Sequence, residues 1–213
     1  MFADRIDAGD QLGHALEKWR NQRPLVLGLP RGGVIVAARV ARALAGELNV
    51  LLVKKLRAPD NPELAIGAIS EDGRVALNDE VAQLSGADAS YIESERRERM
   101  AEMAGQQALY RRVKPAVPLT GRVVILVDDG LATGATMAAA VQVAAGHRPQ
   151  ELIVAVPVGP SSVIHMLQGL PGVTAVAGLL HPADFHGVGQ FYRDFRQTAD
   201  AEVVAVLQNE NTD

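Results

Sequence analysis

Two adjacent carboxylates, Asp128 and Asp129, close an unbroken apolar run from Val123 to Val127. They open onto the small-residue stretch Gly130-Leu131-Ala132-Thr133-Gly134-Ala135-Thr136. The run is rich in β-branched residues, the pattern of a strand buried on both faces. The acids therefore fall at a strand's carboxyl end, where open α/β sheets gather ligands. Gly130 to Thr136 offers little side-chain bulk, so its backbone N–H groups can close around an anion, and Thr133 and Thr136 add hydroxyl donors. A helix from Ala135 to about Ala145 aims its positive end into the same turn. Carboxylates repel a phosphate but accept hydrogen bonds from hydroxyls. Acids and turn together suit a sugar phosphate, with its diol on the acids and its phosphate in the turn.

A second candidate anion site is Gly28-Leu29-Pro30-Arg31-Gly32-Gly33, again after a short apolar run. Gly32 and Gly33 permit positive φ angles and close backbone approach. Arg31 is a fixed charge able to grip a diphosphate through two hydrogen bonds. Lys54, Lys55 and Arg57 follow the apolar segment Val50 to Val53 and bring positive charge to the same edge. Strand alternation sends the two lysines to opposite faces, so either one of them points at a ligand or the segment is a solubilising loop. The stretch from His181 to Phe195 gathers Phe185, Phe191, Tyr192 and Phe195. These flat rings either stack on a planar base or pack a small core. His181 and His186 have no further ligand at metal-binding spacing, and structural or surface roles suit them.

Residues 124–136 resemble the 5-phosphoribosyl 1-pyrophosphate (PRPP) motif of type I phosphoribosyltransferases: four apolar residues, two acids, and a turn ending Thr-Gly-Gly-Thr or close to it. Gly130 stands where a larger apolar residue is common, and Ala135 replaces the second glycine; neither change removes a donor. The Gly28 to Gly33 loop resembles the pyrophosphate loop of the same family, which often holds a cis peptide. Asp184 and the Phe-Tyr-Arg-Asp-Phe run ending at Phe195 look like the hood of hypoxanthine and guanine phosphoribosyltransferases. The resemblance implies Mg²⁺-assisted transfer of a 5-phosphoribosyl group from PRPP to a nitrogen acceptor, a nucleobase first among them, with release of pyrophosphate. It implies that Asp128 and Asp129 hold the ribose diol and the metal's waters, and that the loop 130–136 binds the 5-phosphate. Arg31, Gly32 and Gly33, with Lys54 and Lys55, would meet the pyrophosphate, and Phe185 or Tyr192 the acceptor. By the same carry-over Asp184 contacts the metal–pyrophosphate unit through water and Arg193 the pyrophosphate. One departure stands out: purine-specific relatives read the 6-oxo group with a lysine upstream of the hood, and no lysine follows Lys114. The acceptor therefore stays open. Related enzymes are often homodimers. Regulatory proteins also use this fold to sense a phosphoribosyl ligand, and one of those would keep both aspartates yet turn nothing over. A metal-dependent phosphatase or hydrolase would want a third and a fourth carboxylate at the same edge, which the sequence does not supply clearly.

The elements that must hold these groups read as follows. Leu12, Ala15, Leu16 and Trp19 form an apolar stripe at helical spacing, with Asp7 and Asp10 near the helix start. Leu25 to Leu29 predicts a strand, Val36 to Leu44 a helix ended by Gly46, and Val50 to Val53 a buried strand. Leu56 to Pro62, with two prolines, predicts a loop, and Ala65 to Ile69 with Arg74 to Leu77 a hairpin. Ser90 and Glu93 have the spacing of a capping box ahead of a charged helix to Arg112. Its stripe is Ile92, Met100, Met103 and Tyr110, and Arg96, Arg97 and Arg99 read as a solvated face. Strands at Leu152 to Val156 and Val173 to Ala177 flank a short helix from Ser161 to Leu167. A last helix after Thr198 turns Val203, Val206 and Leu207 inward. Strands alternating with helices predict an α/β fold, a mostly parallel sheet with helices on both faces. The expected organisation is a single domain over 1–213, with an inserted charged helix at about 88–112 and a C-terminal hood at about 178–197.

The whole chain bounds the partners. At 213 residues, 48% apolar and 22% charged, it has the make-up of an ordinary globule with a sizeable core. A formal net charge of −4 argues against non-specific nucleic-acid binding. No stretch approaches a membrane span, and the first residues lack the apolar core of a signal peptide. The absence of cysteine excludes disulfides, thiolate catalysis and cysteine-bound zinc, and fits a cytoplasmic protein.

Overall fold

The computed structural model describes residues 1–209. Five parallel strands form the main sheet: β1 (Leu25–Gly28), β2 (Glu47–Val50), β6 (Val123–Val127), β7 (Glu151–Val158) and β8 (Ala175–Leu180), in the order β2-β1-β6-β7-β8. Strand alternation sorts their side chains into two cores. Val26, Ile125, Val127 and Ile153 pack under α1 (Arg5–Ala15), α2 (Gly32–Leu44) and α7 (Asp200–Asn209). Leu27, Val124, Leu126 and Val154 pack under α5 (Ala135–Gly146) and α6 (Ser161–Gln168) on the other face. This is the mostly parallel sheet with helices on both faces that the alternation of elements predicts.

The strand order fixes where a ligand can sit. From β1 the chain crosses through α2 to β2 on one side. From β6, the neighbour of β1, it crosses through α5 to β7 on the other. The connections diverge between β1 and β6, and a crevice opens at the carboxyl ends of those two strands. Both glycine-containing loops picked out in the sequence leave the sheet at that crevice.

Several local expectations give way. Val50 to Val53 is not one strand but the junction between β2 and β3 (Val53–Ala58), which belongs to a separate antiparallel sheet with β4 (Asn61–Ser70) and β5 (Val75–Leu77). Leu56 to Pro62 is the tip of the β3–β4 hairpin rather than a loop, with Ala58 opposite Asn61. The outer half of β4 is exposed, so Pro62 breaks no ladder that a core depends on. The Val75 to Leu77 return strand is found as expected, after a turn in which Gly73 has φ 79°. A short helix, α3 (Asp79–Leu84), was not foreseen. The long helix α4 (Ala89–Arg111) is capped by Asp88, whose carboxylate accepts from the Tyr91 amide, so the Ser90–Glu93 spacing is not its capping box. Arg99 does not belong to a solvated face: it is 4% exposed and ion-paired to Glu95, Glu98 and Glu102. Helical spacing set it on the inner side, and the three acids make its burial tolerable.

Candidate functional site

The first loop is shaped by close approach. Leu29 donates its amide to the Val127 carbonyl at 2.9 Å, stitching the end of β1 to the end of β6. The peptide bond between Pro30 and Arg31 is cis, the feature the family resemblance raised. Gly32 and Gly33 open α2 in helical conformation, so positive φ is not why they are glycines. A β-carbon on Gly32 would lie 1.9 Å from Asp129 Oδ2, and one on Gly33 2.9 Å from Asp128 Oδ1. The two glycines are what let the acids of β6 lie against the start of α2, whose first N–H groups have no partner within the helix.

Asp128 and Asp129 are both half-buried at the crevice. Asp128 Oδ1 accepts from the Asp129 amide at 2.9 Å. Burial pushes the Asp128 carboxyl well above the ordinary range, and the charge of Asp129 adds to the shift. Burial also raises Asp129, but Arg5 opposes it, because Arg5 Nε donates to Asp129 Oδ2 at 2.7 Å. The Tyr192 hydroxyl donates to the Asp129 carbonyl at 2.6 Å, and burial drives that phenol upward. Asp129 is thus gripped twice, at its side chain by the first turn of α1 and at its backbone by the tail.

The turn after the acids divides its work. Leu131 is a core residue whose amide is spent on the Val158 carbonyl at 2.8 Å, so it offers a ligand no donor. Ala132, Thr133 and Thr136 are exposed. Gly134, at φ 74°, turns the chain into α5, whose first amides face the turn. Ala135 donates to Thr133 Oγ1 at 3.4 Å. Gly130 departs from the family's larger residue because Val188 and Val158 crowd it: a β-carbon there would meet Val188 Cγ1 at 2.4 Å. A cavity of about 300 Å³ joins Pro30, Lys54, Lys55 and Thr136, so both lysines border the same space despite the alternation of their strand. Lys54 Nζ lies 3.6 Å from Glu102 on α4. Arg31, at the mouth of the first loop, is 3.9 Å from Asp200 of α7.

The tail departs most from expectation. Tyr192 is 6% exposed and packs against Phe2 and Phe195, so its ring is a core ring and not an open stacking surface. Phe185 stacks on Phe191 with ring centroids 5.7 Å apart and is half-exposed. Asp184 pairs with His186 at 3.0 Å, out in solvent. Arg193 is exposed. His181 Nε2 sits 3.1 Å from the Gly178 carbonyl. The tail is held by the chain's own beginning: Phe2 donates to Phe191, Arg193 to Phe2 and Asp194 to Ala3. Sequence reasoning missed Phe2, Val188 and above all Arg5. One signal was available: a cation at the first position of a helix opposes the macrodipole and asks for a compensating acid.

Among the described residues no group of three or more His, Cys, Asp or Glu could hold a metal ion by itself. No helix among them is long and apolar enough to cross a membrane.

Comparison with known proteins fits this geometry. The Thermus thermophilus protein TT1426, whose crystal structure is known, is 43% identical, with a TM-score of 0.92 over 98% of both chains. Proteins from two Mycobacterium tuberculosis strains, provisionally named phosphoribosyl transferases, are 45% identical over all 213 residues of this chain. The chain spans 48% of their length, about half of the curated relatives it matches. Residues 5–165 match the phosphoribosyl transferase domain, a span running from Arg5 through both loops into α6. With two anion-ready loops meeting where β1 and β6 part, and that match over most of its length, the chain belongs to the phosphoribosyl transferase domain family.

Proposed function

We propose that this chain transfers a 5-phosphoribosyl group from PRPP to a nitrogen acceptor, a nucleobase being the first class to test, and releases pyrophosphate. One observation carries the reading: the loop at 30–33 and the Asp128–Asp129 pair lie against each other, with Gly32 in contact with Asp129. In this reading the 5-phosphate sits on the exposed Thr133 and Thr136 hydroxyls and the amides of the first turn of α5. The diol rests on Asp128 and Asp129. Arg31, Lys54 and Lys55 face the pyrophosphate, beside the backbone of Gly32 and Gly33 at the start of α2.

The donor set suits Mg²⁺ as a substrate-borne ion. Two adjacent carboxylates are hard oxygen ligands, too few to form a cage but enough to hold the ion's waters beside ligand oxygens. When bound, Mg²⁺ supplies neutralisation of the charge growing on the departing pyrophosphate. The chain's own part is positional and electrostatic: it fixes the anomeric carbon and stabilises the leaving group with prearranged charge. Phe185, half-exposed, is retained as the acceptor-facing ring in place of Tyr192. Asp184 and Arg193 are both exposed, Asp184 paired with His186, and this reading gives neither a ligand contact.

Calorimetry with PRPP and Mg²⁺ tests the site. Saturable binding is expected, with Asp129→Asn weakening it at least tenfold; equal binding by the two proteins would remove the assignment. Pyrophosphate release across purine, pyrimidine and small amine acceptors tests catalysis. A PRPP- or nucleotide-sensing role on the same fold is the second reading. A sensor would keep both aspartates, and binding without release across the panel would select it.

A further inference from the structure

We infer, building on the phosphoribosyl-transfer reading, that Arg5 is a partner-exchanging binding residue. In the free protein it rests on Asp129. When PRPP arrives, it passes to the pyrophosphate while the ribose diol takes its place on the carboxylate.

The geometry sets up the exchange. Arg5 Nε and Asp129 Oδ2 lie 2.7 Å apart, with 12% and 16% of the two side chains exposed. The oxygen that Arg5 holds is thus an acceptor that the diol would use. The pair sits directly on the first loop: a β-carbon on Gly32 would lie 1.9 Å from Asp129 Oδ2 and 2.6 Å from Arg5 Nε. The guanidinium is therefore already against the backbone where the pyrophosphate would lie. Its other hydrogen bond and its ring contact are to neutral groups. Nη1 donates to the Arg196 carbonyl at 2.9 Å, and the guanidinium carbon lies 4.0 Å from the Phe195 ring centroid. A cavity of about 320 Å³ opens beside it, lined by Ile35, Thr198 and Val206 and by the acids Asp194 and Glu202, so the side chain has room to turn, with Asp129 the one acid it is hydrogen-bonded to among the described residues.

The energetics make the exchange all-or-none. Breaking a largely buried pair leaves each charge without a partner, which is far costlier than the pair itself. Metal-free pyrophosphate satisfies Arg5 but strands Asp129. A ribose alone satisfies Asp129 but strands Arg5. PRPP supplies both partners at once, so the pair selects the whole molecule over either half.

The test uses PRPP, ribose 5-phosphate and magnesium pyrophosphate as probes in calorimetry on the wild type, Arg5→Gln and Arg5→Lys, with thermal unfolding recorded alongside. Arg5→Gln is expected to tighten ribose 5-phosphate and weaken magnesium pyrophosphate, each by roughly tenfold. Arg5→Lys, which keeps the charge on a single-point donor, is expected to shift both in the same senses by a smaller factor; it carries the test should the glutamine variant not fold. Shifts of both fragments in one direction, or of neither, overturn the exchange. If the wild type binds PRPP while the fragments shift together, only the exchange falls. If the wild type binds none of the three probes, the phosphoribosyl-transfer reading falls with it.

Discussion

The site is built by residues whose value lies in what they leave out. Gly32 and Gly33 have no β-carbon to hold Asp128 and Asp129 away from the start of α2. Gly130 has none to hold the tail off the turn that follows the acids. Gly130→Ala should force Val188 aside, because its β-carbon would come 2.4 Å from Val188 Cγ1 and 3.1 Å from Val158 Cγ1. Overpacking of this kind costs about 1–3 kcal/mol, readable as a lower midpoint in urea denaturation. An unchanged midpoint would mean that the tail does not rest on the turn. The sequence marked Gly130 as a departure from the family pattern, but the reason lies 58 positions away in Val188.

At the scale of elements, β6 and α5 were legible to within a residue, because an unbroken apolar run and a small-residue turn are local signals. The β3–β4 hairpin was not, since its prolines sit at a tip and on an exposed outer stretch where the usual penalty does not apply. The helix expected at about 88–112 is found, but its cap is Asp88, two residues before the Ser90–Glu93 spacing, and that register can be tested. Asp88 accepts from the Tyr91 amide at 2.7 Å. Asp88→Ala should therefore cost about 1 kcal/mol of stability. Ser90→Ala, inside the helix, should change stability little or raise it slightly, since alanine is the better helix former. Denaturant midpoints of the two variants decide between the caps, and an equal loss in both would reinstate the Ser90–Glu93 box.

Over the whole molecule, the beginning and the end of the described chain close on each other beside the acids. Phe2 pairs with Tyr192, Arg5 reaches Asp129, and α7 brings Asp200 to Tyr110 and Arg31. Leu207 anchors α7 in the core and is fully buried. Leu207→Ala should cost about 2–5 kcal/mol, measured by thermal unfolding, and a change within error would mean that α7 is not part of the cooperative unit. What the sequence alone determined was the chemistry of contiguous segments: two strand–turn–helix units, two acids and a cationic loop, each written in the spacing of near neighbours. What only the tertiary structure decided was which distant groups meet them. Arg5 and Asp129 stand 124 residues apart, and nothing in the spacing of either pairs them. Their contact follows from strand order, which carries α1 and the tail to the one crevice where β1 and β6 part, and from the high cost of leaving a buried carboxylate there without a cation.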